Sequence, residues 1–180
     1  MEQQGVRKTY RYRLDPTPEQ AQVWEMVVWR CRTLYNVAVE RRKIWWGRGQ
    51  GVGARYDPPK AELPDLKAAG PEFGAVHAHV LQDVILRLDR AFQAFFRRLK
   101  SGETPGDRRF QGKGRYNSFP CPEDGNGAVL DGGVLSLSKI GRIRMRLHRP
   151  LEGAPKTVTI SREADGWYAC FSCADVPIQP

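Results

Sequence analysis

Tyr10-Arg11-Tyr12-Arg13-Leu14-Asp15-Pro16-Thr17-Pro18-Glu19-Gln20 decides how this chain begins to fold. Up to Leu14 the residues alternate: Tyr10, Tyr12 and Leu14 point one way, and Arg7, Thr9, Arg11 and Arg13 the other. A period of two marks a strand, here with a core face and a basic face. The pattern stops at Asp15-Pro16. Thr17 is placed to cap a helix, Pro18 suits its first turn, and Gln20 can reach back as in a capping box.

Downstream, Trp24, Val27, Val28, Cys31, Leu34, Tyr35, Ala38 and Val39 recur at spacings of three and four. That is one apolar helix stripe, running to about Trp46, with Arg30, Arg32, Arg41, Arg42 and Lys43 largely off it. Gly47, Gly49, Gly51 and Gly53 then break regular structure and read as a linker loop. No Gly-Lys-Ser/Thr follows, so it is not a phosphate loop of the Walker kind. Leu63-Pro64-Asp65-Leu66-Lys67 suggests a short helical turn. A second amphipathic helix is expected over 72–100, with Val76, Val80, Leu81, Val84, Ile85, Leu88 and Phe92 in its stripe and arginines concentrated toward its C-terminal end. Two such helices would pack as a hairpin or small bundle.

From residue 101 the chain changes character. Ser101 to Gly106 is turn-rich, and Arg108 to Tyr116 interleaves bases with aromatics. Strand signals follow at 117–120, 128–137, 141–148, 156–162 and 167–174. Asp131-Gly132 between apolar runs reads as a hairpin turn. In 141–148, Arg142, Arg144, Arg146 and His148 share one face, and Ile143, Met145 and Leu147 the other. Two half-basic strands in one small sheet suggest a barrel whose outer face holds a phosphate backbone. The expected fold class is α+β: a β-barrel interrupted by a helical insertion.

The composition fits a binding protein. The chain has 180 residues, 29 Lys and Arg against 20 Asp and Glu, a net charge of +9 and a pI near 9.7. A globular chain this basic usually meets a polyanion: nucleic acid, an anionic membrane face or an acidic protein. The N-terminus has no apolar stretch of signal-peptide length, and no segment approaches the roughly 20 apolar residues of a membrane span. A cytoplasmic, nucleoid-associated protein is expected, with Cys31, Cys121, Cys170 and Cys173 reduced.

Catalytic constellations fail one by one. His77 and His79 sit two apart on the expected helix and do not share a face. Cys170-Phe171-Ser172-Cys173 lies in an expected strand, where residues three apart face opposite sides, and no second C-x-x-C completes four zinc ligands. No carboxylates are placed for a two-metal site. No metal site, no catalytic residue and no cofactor is therefore expected. What remains is arginine and aromatic chemistry, suited to phosphates and unpaired bases. Arg7, Arg11, Arg13, Arg41, Arg42 and Arg109 are candidates for RNA or backbone binding. So are Phe110, Lys113, Arg115, Tyr116, Arg142, Arg144 and Arg146. For Tyr10 and Tyr12 the core is the better reading. For Phe110 and Tyr116 core packing and base stacking stand even.

Several stretches together resemble the TnpB family, transposon-encoded RNA-guided DNA endonucleases related to type V CRISPR effectors. They are Leu14 to Gln20, Arg32-Thr33-Leu34-Tyr35-Asn36 with Arg41-Arg42, and Leu81-Gln82. Leu88 to Phe92, Phe95 to Lys100, Gly102 to Gly106 and Arg109-Phe110 come next. Arg115 to Phe119 and Lys139-Ile140-Gly141 complete the series. The resemblance implies an oligonucleotide-binding-like wedge barrel, residues 1–14 and 106–180, interrupted by a helical recognition lobe, 15–105. It implies a guide RNA from the transposon end and target double-stranded DNA as partners, with base pairing supplying sequence specificity. It places Gln82, with Ala78 and His79 nearby, against the target-adjacent DNA motif, and Phe119 and Pro120 where the wedge meets the same duplex. The family often has lysine where Ala78 stands. Its RuvC-like nuclease segment, three catalytic carboxylates and zinc ribbon find no counterpart here. The chain is thus expected to bind but not to cut alone, Mg2+ belonging to a nuclease segment encoded downstream or supplied separately. The alternatives are a nuclease-dead RNA-guided repressor and a plain basic DNA- or RNA-binding domain. A simple helix-turn-helix is disfavoured, because the two helices are too long and too far apart for its short turn.

Overall fold

The structure, a computed structural model, describes residues 6–47, 64–65, 67–68, 70–104, 106, 109–121, 128–137 and 141–177. The glycine-rich loop after Gly47, the side chains of Trp45 and Trp46, and Leu63, Leu66, Arg108, Lys139 and Ile140 lie outside the described residues. The elements are strand β1 (Val6–Asp15), helix α1 (Pro18–Gly47), a 3-10 turn (Pro71–Ala75) and helix α2 (Ala78–Lys100). Strands β2 (Ser118–Cys121), β3 (Ala128–Asp131), β4 (Val134–Leu137), β5 (Gly141–Met145), β6 (Ala154–Glu163) and β7 (Gly166–Val176) follow. The chain divides into two compact units, one of residues up to Met26 and from Asn117 onward, the other Val27–Tyr116. The first turns of α1 thus go with the sheet.

In the sheet unit, seven strands pair antiparallel in the order β2-β6-β7-β1-β5-β4-β3, a curled half-barrel. Among the described residues β2 and β3 do not pair with each other, so the expected barrel is observed as an open arc. β1 lies in its middle. It pairs with β7 from Lys8 to Leu14 and with β5 at Leu14 and Asp15. The alternation read from the sequence holds: Tyr10, Tyr12 and Leu14 are buried. Their cross-strand partners Phe171, Ala169 and Trp167 are buried on the same face. Ile143, Met145, Leu135, Phe119, Val158 and Ile160 continue that core. Chain reversals follow turn chemistry. Asp131 opposes Val134 across Gly132 and Gly133, whose φ of 53° and 83° only glycine adopts without strain.

The capping box forms as anticipated. The Thr17 N–H donates to Gln20 Oε1 (3.0 Å) and the Gln20 N–H to Thr17 Oγ1 (3.3 Å). Gln20 Nε2 also donates to the Arg142 carbonyl (3.0 Å), tying the helix start to β5. One turn on, Trp24 is fully buried and meets Trp167 edge-on at 5.1 Å.

In the helical unit, Val28, Cys31, Leu34, Tyr35, Ala38 and Val39 of α1 are buried, as are Val80, Leu81, Val84, Ile85, Leu88 and Phe92 of α2. Helix α2 starts later than the pattern suggested. Pro71 opens a separate 3-10 turn that buries Phe73, and His77 is the cap of α2, its Nδ1 accepting from the His79 N–H (3.2 Å). Strand β5 also ends early, at Met145, so Leu147 and His148 lie outside it and Leu147 is exposed.

One candidate binding residue belongs to this unit's interior. Arg42 is 3% exposed, with Nη1 3.5 Å from Asp89 Oδ1 and its guanidinium 5.0 Å from the Phe92 ring centre. Its neighbour Arg41 reaches Asp65 at the surface. A buried cation without its carboxylate is costly, and so is the reverse. Arg42→Ala is expected to destabilise the protein by about 3–5 kcal/mol, whereas Arg41→Ala leaves the denaturation midpoint nearly unchanged. Equal midpoints for the two variants in urea titrations would refute this division of roles.

Candidate nucleic-acid interface

The face of the sheet opposite the core is where the half-basic strands put their charge. Arg7, Arg11 and Arg13 of β1 alternate with the buried tyrosines, and the β1–β5 register sets Asp15 opposite Arg144. Arg142 lies two residues before Arg144 on the same face. Hydroxyls continue this surface across the ladder: Ser172 opposes Thr9, and Thr159 and Ser161 oppose Cys170 and Tyr168. The combination of arginines with small hydroxyls and a tyrosine is one that meets phosphate and sugar oxygens well.

Not all of these arginines are available. Arg146 makes a two-pronged contact with Asp15, Nε to Oδ2 at 2.8 Å and Nη2 to Oδ1 at 3.0 Å. Arg13 reaches the Asp165 carboxylate (3.2 Å) and carbonyl (2.7 Å). Arg11 lies 3.5 Å from Glu163 and over the Tyr168 ring at 4.3 Å. Arg7, Arg142 and Arg144 are exposed and form no salt bridge among the described residues, although Arg144 stands opposite Asp15 and acts on its charge. Three guanidiniums outside any salt bridge thus adjoin three held in place by acids. The acids respond to their neighbours. The hydrogen bond from Arg146 holds the Asp15 carboxyl below the usual carboxylate range, with Arg13 and Arg144 adding to the effect. The Tyr168 hydroxyl, 2.8 Å from Asp165 Oδ2, does the same for Asp165, helped by Arg13 and Arg11.

The other sequence candidates separate by burial. Ala78, His79 and Gln82 are exposed on the first turns of α2, in the helical unit. Phe119 and Pro120 belong to the sheet unit. Phe119 is 1% exposed and opposes Ile160 in the core, so its ring is not a surface for DNA. Pro120 is on the opposite face of the outer strand β2, where a residue lacking an N–H is tolerated. Tyr116 is buried against Tyr35 with ring centres 5.8 Å apart. Phe110 is half exposed, and Arg109, Lys113 and Arg115 beside it are exposed. Tyr116 is thus a core residue, and Phe110 is not.

Sequence reasoning missed a residue that holds the segment just after Phe110. Asn36 Nδ2 donates to the Gln111 carbonyl (3.0 Å), and the Gln111 N–H donates to Asn36 Oδ1 (2.8 Å). Asparagine is a poor residue for a helix interior, and that was the available signal. The cysteines are free thiols, and burial pushes those of Cys31 and Cys121 up to about 12. Cys170 and Cys173 fall on opposite faces of β7. Among the described residues no group of three His, Cys, Asp or Glu comes together as a metal site, and no helix is long and apolar enough to cross a membrane.

Residues 1–51 match the helix-turn-helix domain of the IS605 OrfB type. In the structure the described part of that stretch is one strand and one unbroken helix, without the turn the name suggests. A "Putative RNA-guided DNA endonuclease" of Streptomyces pristinaespiralis is 33% identical over 180 residues, covering 96% of this chain and 42% of that protein. The "Putative RNA-guided DNA endonuclease InsQ" of Escherichia coli (strain K12) is 26% identical over 183 residues, with the same 96% and 42% coverage. The chain spans less than half the length of these curated relatives.

The Asp15–Arg146 pair has a pH signature. A carboxyl whose folded value is depressed adds stability above its unfolded value, near 3.9, and that stability is lost as pH falls through the folded value. The melting temperature of the native chain is expected to exceed that of Asp15→Asn by a small, constant margin from pH 6 to 8, and the margin to close below about pH 4. Thermal melts across that range test it, and a margin that does not change with pH would rule the pair out as a source of stability.

Proposed function

We propose that this chain, which belongs by sequence with the TnpB-like RNA-guided DNA endonucleases, supplies their grip on nucleic acid. It binds a guide RNA from the transposon end and contacts target double-stranded DNA at a short adjacent motif. The observation that carries this reading is the outer face of the half-barrel, where Arg7, Arg142 and Arg144 are exposed and form no salt bridge among the described residues, beside Arg11, Arg13 and the strand hydroxyls. Such a face neutralises phosphates without reading bases. The curled sheet is then an oligonucleotide-binding-like wedge, and the helical unit a recognition lobe. Exposed Ala78, His79 and Gln82 at the start of α2 are its DNA-facing group, and Pro120 is the wedge's contribution. Binding, not cleavage, is assigned to these residues, and the work is done in the cytoplasm at the nucleoid.

The test has two parts. The chain is expressed together with its flanking genomic DNA and purified, and the RNA that accompanies it is sequenced. One enriched RNA from the neighbouring transposon end is expected. Random or ribosomal RNA would instead favour a plain nucleic-acid-binding domain. Affinity for that RNA is then measured against salt concentration. Arg142→Ala with Arg144→Ala is expected to lower the log–log slope by about two, one for each phosphate no longer neutralised. Arg146→Ala should change it less, because Asp15 already holds that guanidinium. An unchanged slope in the double variant would count against the sheet face.

A further inference from the structure

We propose that Phe110 is a stacking platform for a single unpaired nucleobase and that Asn36 is the residue positioning it. The inference rests on the reading above, that the chain binds nucleic acid, and adds the class of ligand and the place where it is held. All the residues involved belong to the helical unit.

Phe110 leaves half of its surface exposed, so part of its ring is open to a partner. Its surroundings are built rather than loose. Asn36 clamps the next residue, Gln111, by two hydrogen bonds, donating to its carbonyl and accepting from its N–H, as a neighbouring strand's backbone would. A turn follows, closed by the Arg115 N–H on the Gly112 carbonyl (3.1 Å), with Gly114 at φ 90°. Tyr116 then anchors the segment in the core, its ring 5.4 Å from the Arg87 guanidinium. The ring of Phe110 is therefore held out on a backbone fixed on its C-terminal side.

A cation lies over the ring. Lys43 Nζ lies 5.3 Å from the Phe110 ring centre. Arg109, Lys113 and Arg115 are exposed without a carboxylate partner among the described residues, and 109–116 contains no acid. A half-exposed apolar ring with a cation over it, in a segment rich in exposed bases, fits a base with phosphates on either side. A duplex shows only base edges in its grooves, so the face of a base reaches such a ring only when unpaired. The strand could be RNA or DNA, since both offer the same aromatic face.

The experiment uses the full chain with short unstructured RNA and DNA strands carrying 2-aminopurine, and with a blunt duplex. Phe110→Ala is expected to weaken binding of the RNA strand, the DNA strand or both by about 5- to 150-fold, the range of aromatic–base stacking. It should leave duplex affinity and the salt slope unchanged. Phe110→Trp should restore affinity and quench the 2-aminopurine. Asn36→Ala, with Phe110 intact, should lose the same single-strand affinity in part, and the quenching with it. Which strand responds identifies the source. Single-strand binding unaffected by Phe110→Ala, or a parallel loss on duplex, would overturn the proposal while leaving phosphate binding intact. A native chain that binds neither strand nor duplex would overturn the reading of the basic sheet face as well.

Discussion

The sheet unit depends on β1 satisfying two demands at once. Its backbone must be hydrogen-bonded on both edges near its C-terminal end, to β7 and to β5. Its side chains must divide between a dry core and a wet basic face. The pleat of a strand meets the second demand by geometry alone, because successive side chains leave opposite faces. A register slip of one residue would expose Tyr10, Tyr12 and Leu14 and bury arginines, so the buried tyrosines lock the pairing. With the register locked, Asp15 stands opposite Arg144, Thr17 is in place to cap α1, and Gln20 can reach the β5 backbone.

The same constraint shapes the binding surface. A sheet with one buried face has to put its ionic groups on the other, and this chain puts arginines there. Left alone, such arginines would repel one another and swing freely. Asp15, Glu163 and Asp165 offset part of that charge and fix the geometry of Arg146, Arg11 and Arg13. Exposed pairs of this kind add little stability. Among the described residues, Arg7, Arg142 and Arg144 stand on this surface outside any salt bridge.

The helical unit solves a different problem with a similar economy. Arg42 and Asp89 are buried together beside Phe92, whereas Arg41 stays at the surface. Asn36 gives up helix propensity to clamp the segment that carries Phe110. Both depart from a simple apolar helix interface, and both act on groups that belong to the other helix or to the segment after it.

Much of this was legible in local periodicity. The strand faces of β1 and β5, the capping box at Thr17 and Gln20, the glycine turn after Asp131 and the apolar stripes of both helices follow from spacing, since backbone geometry repeats at known intervals whatever surrounds it. The core or surface place of the β1 side chains from Thr9 onward follows from the same rule, whereas Val6 and Lys8, at the strand's start beside a register shift, are exposed. Three things did not. Arg41 and Arg42 look alike in sequence, and Phe110 and Tyr116 sit in the same basic, glycine-broken stretch, yet in each pair one side chain is exposed and the other buried. Phe119 has the aromatic character of a contact residue but fills the core opposite Ile160. Which arginines are held was decided by acids far away in sequence, as Asp15 is from Arg146. These outcomes depend on what the folded chain brings within a few ångströms of each side chain, and local spacing carries no record of that.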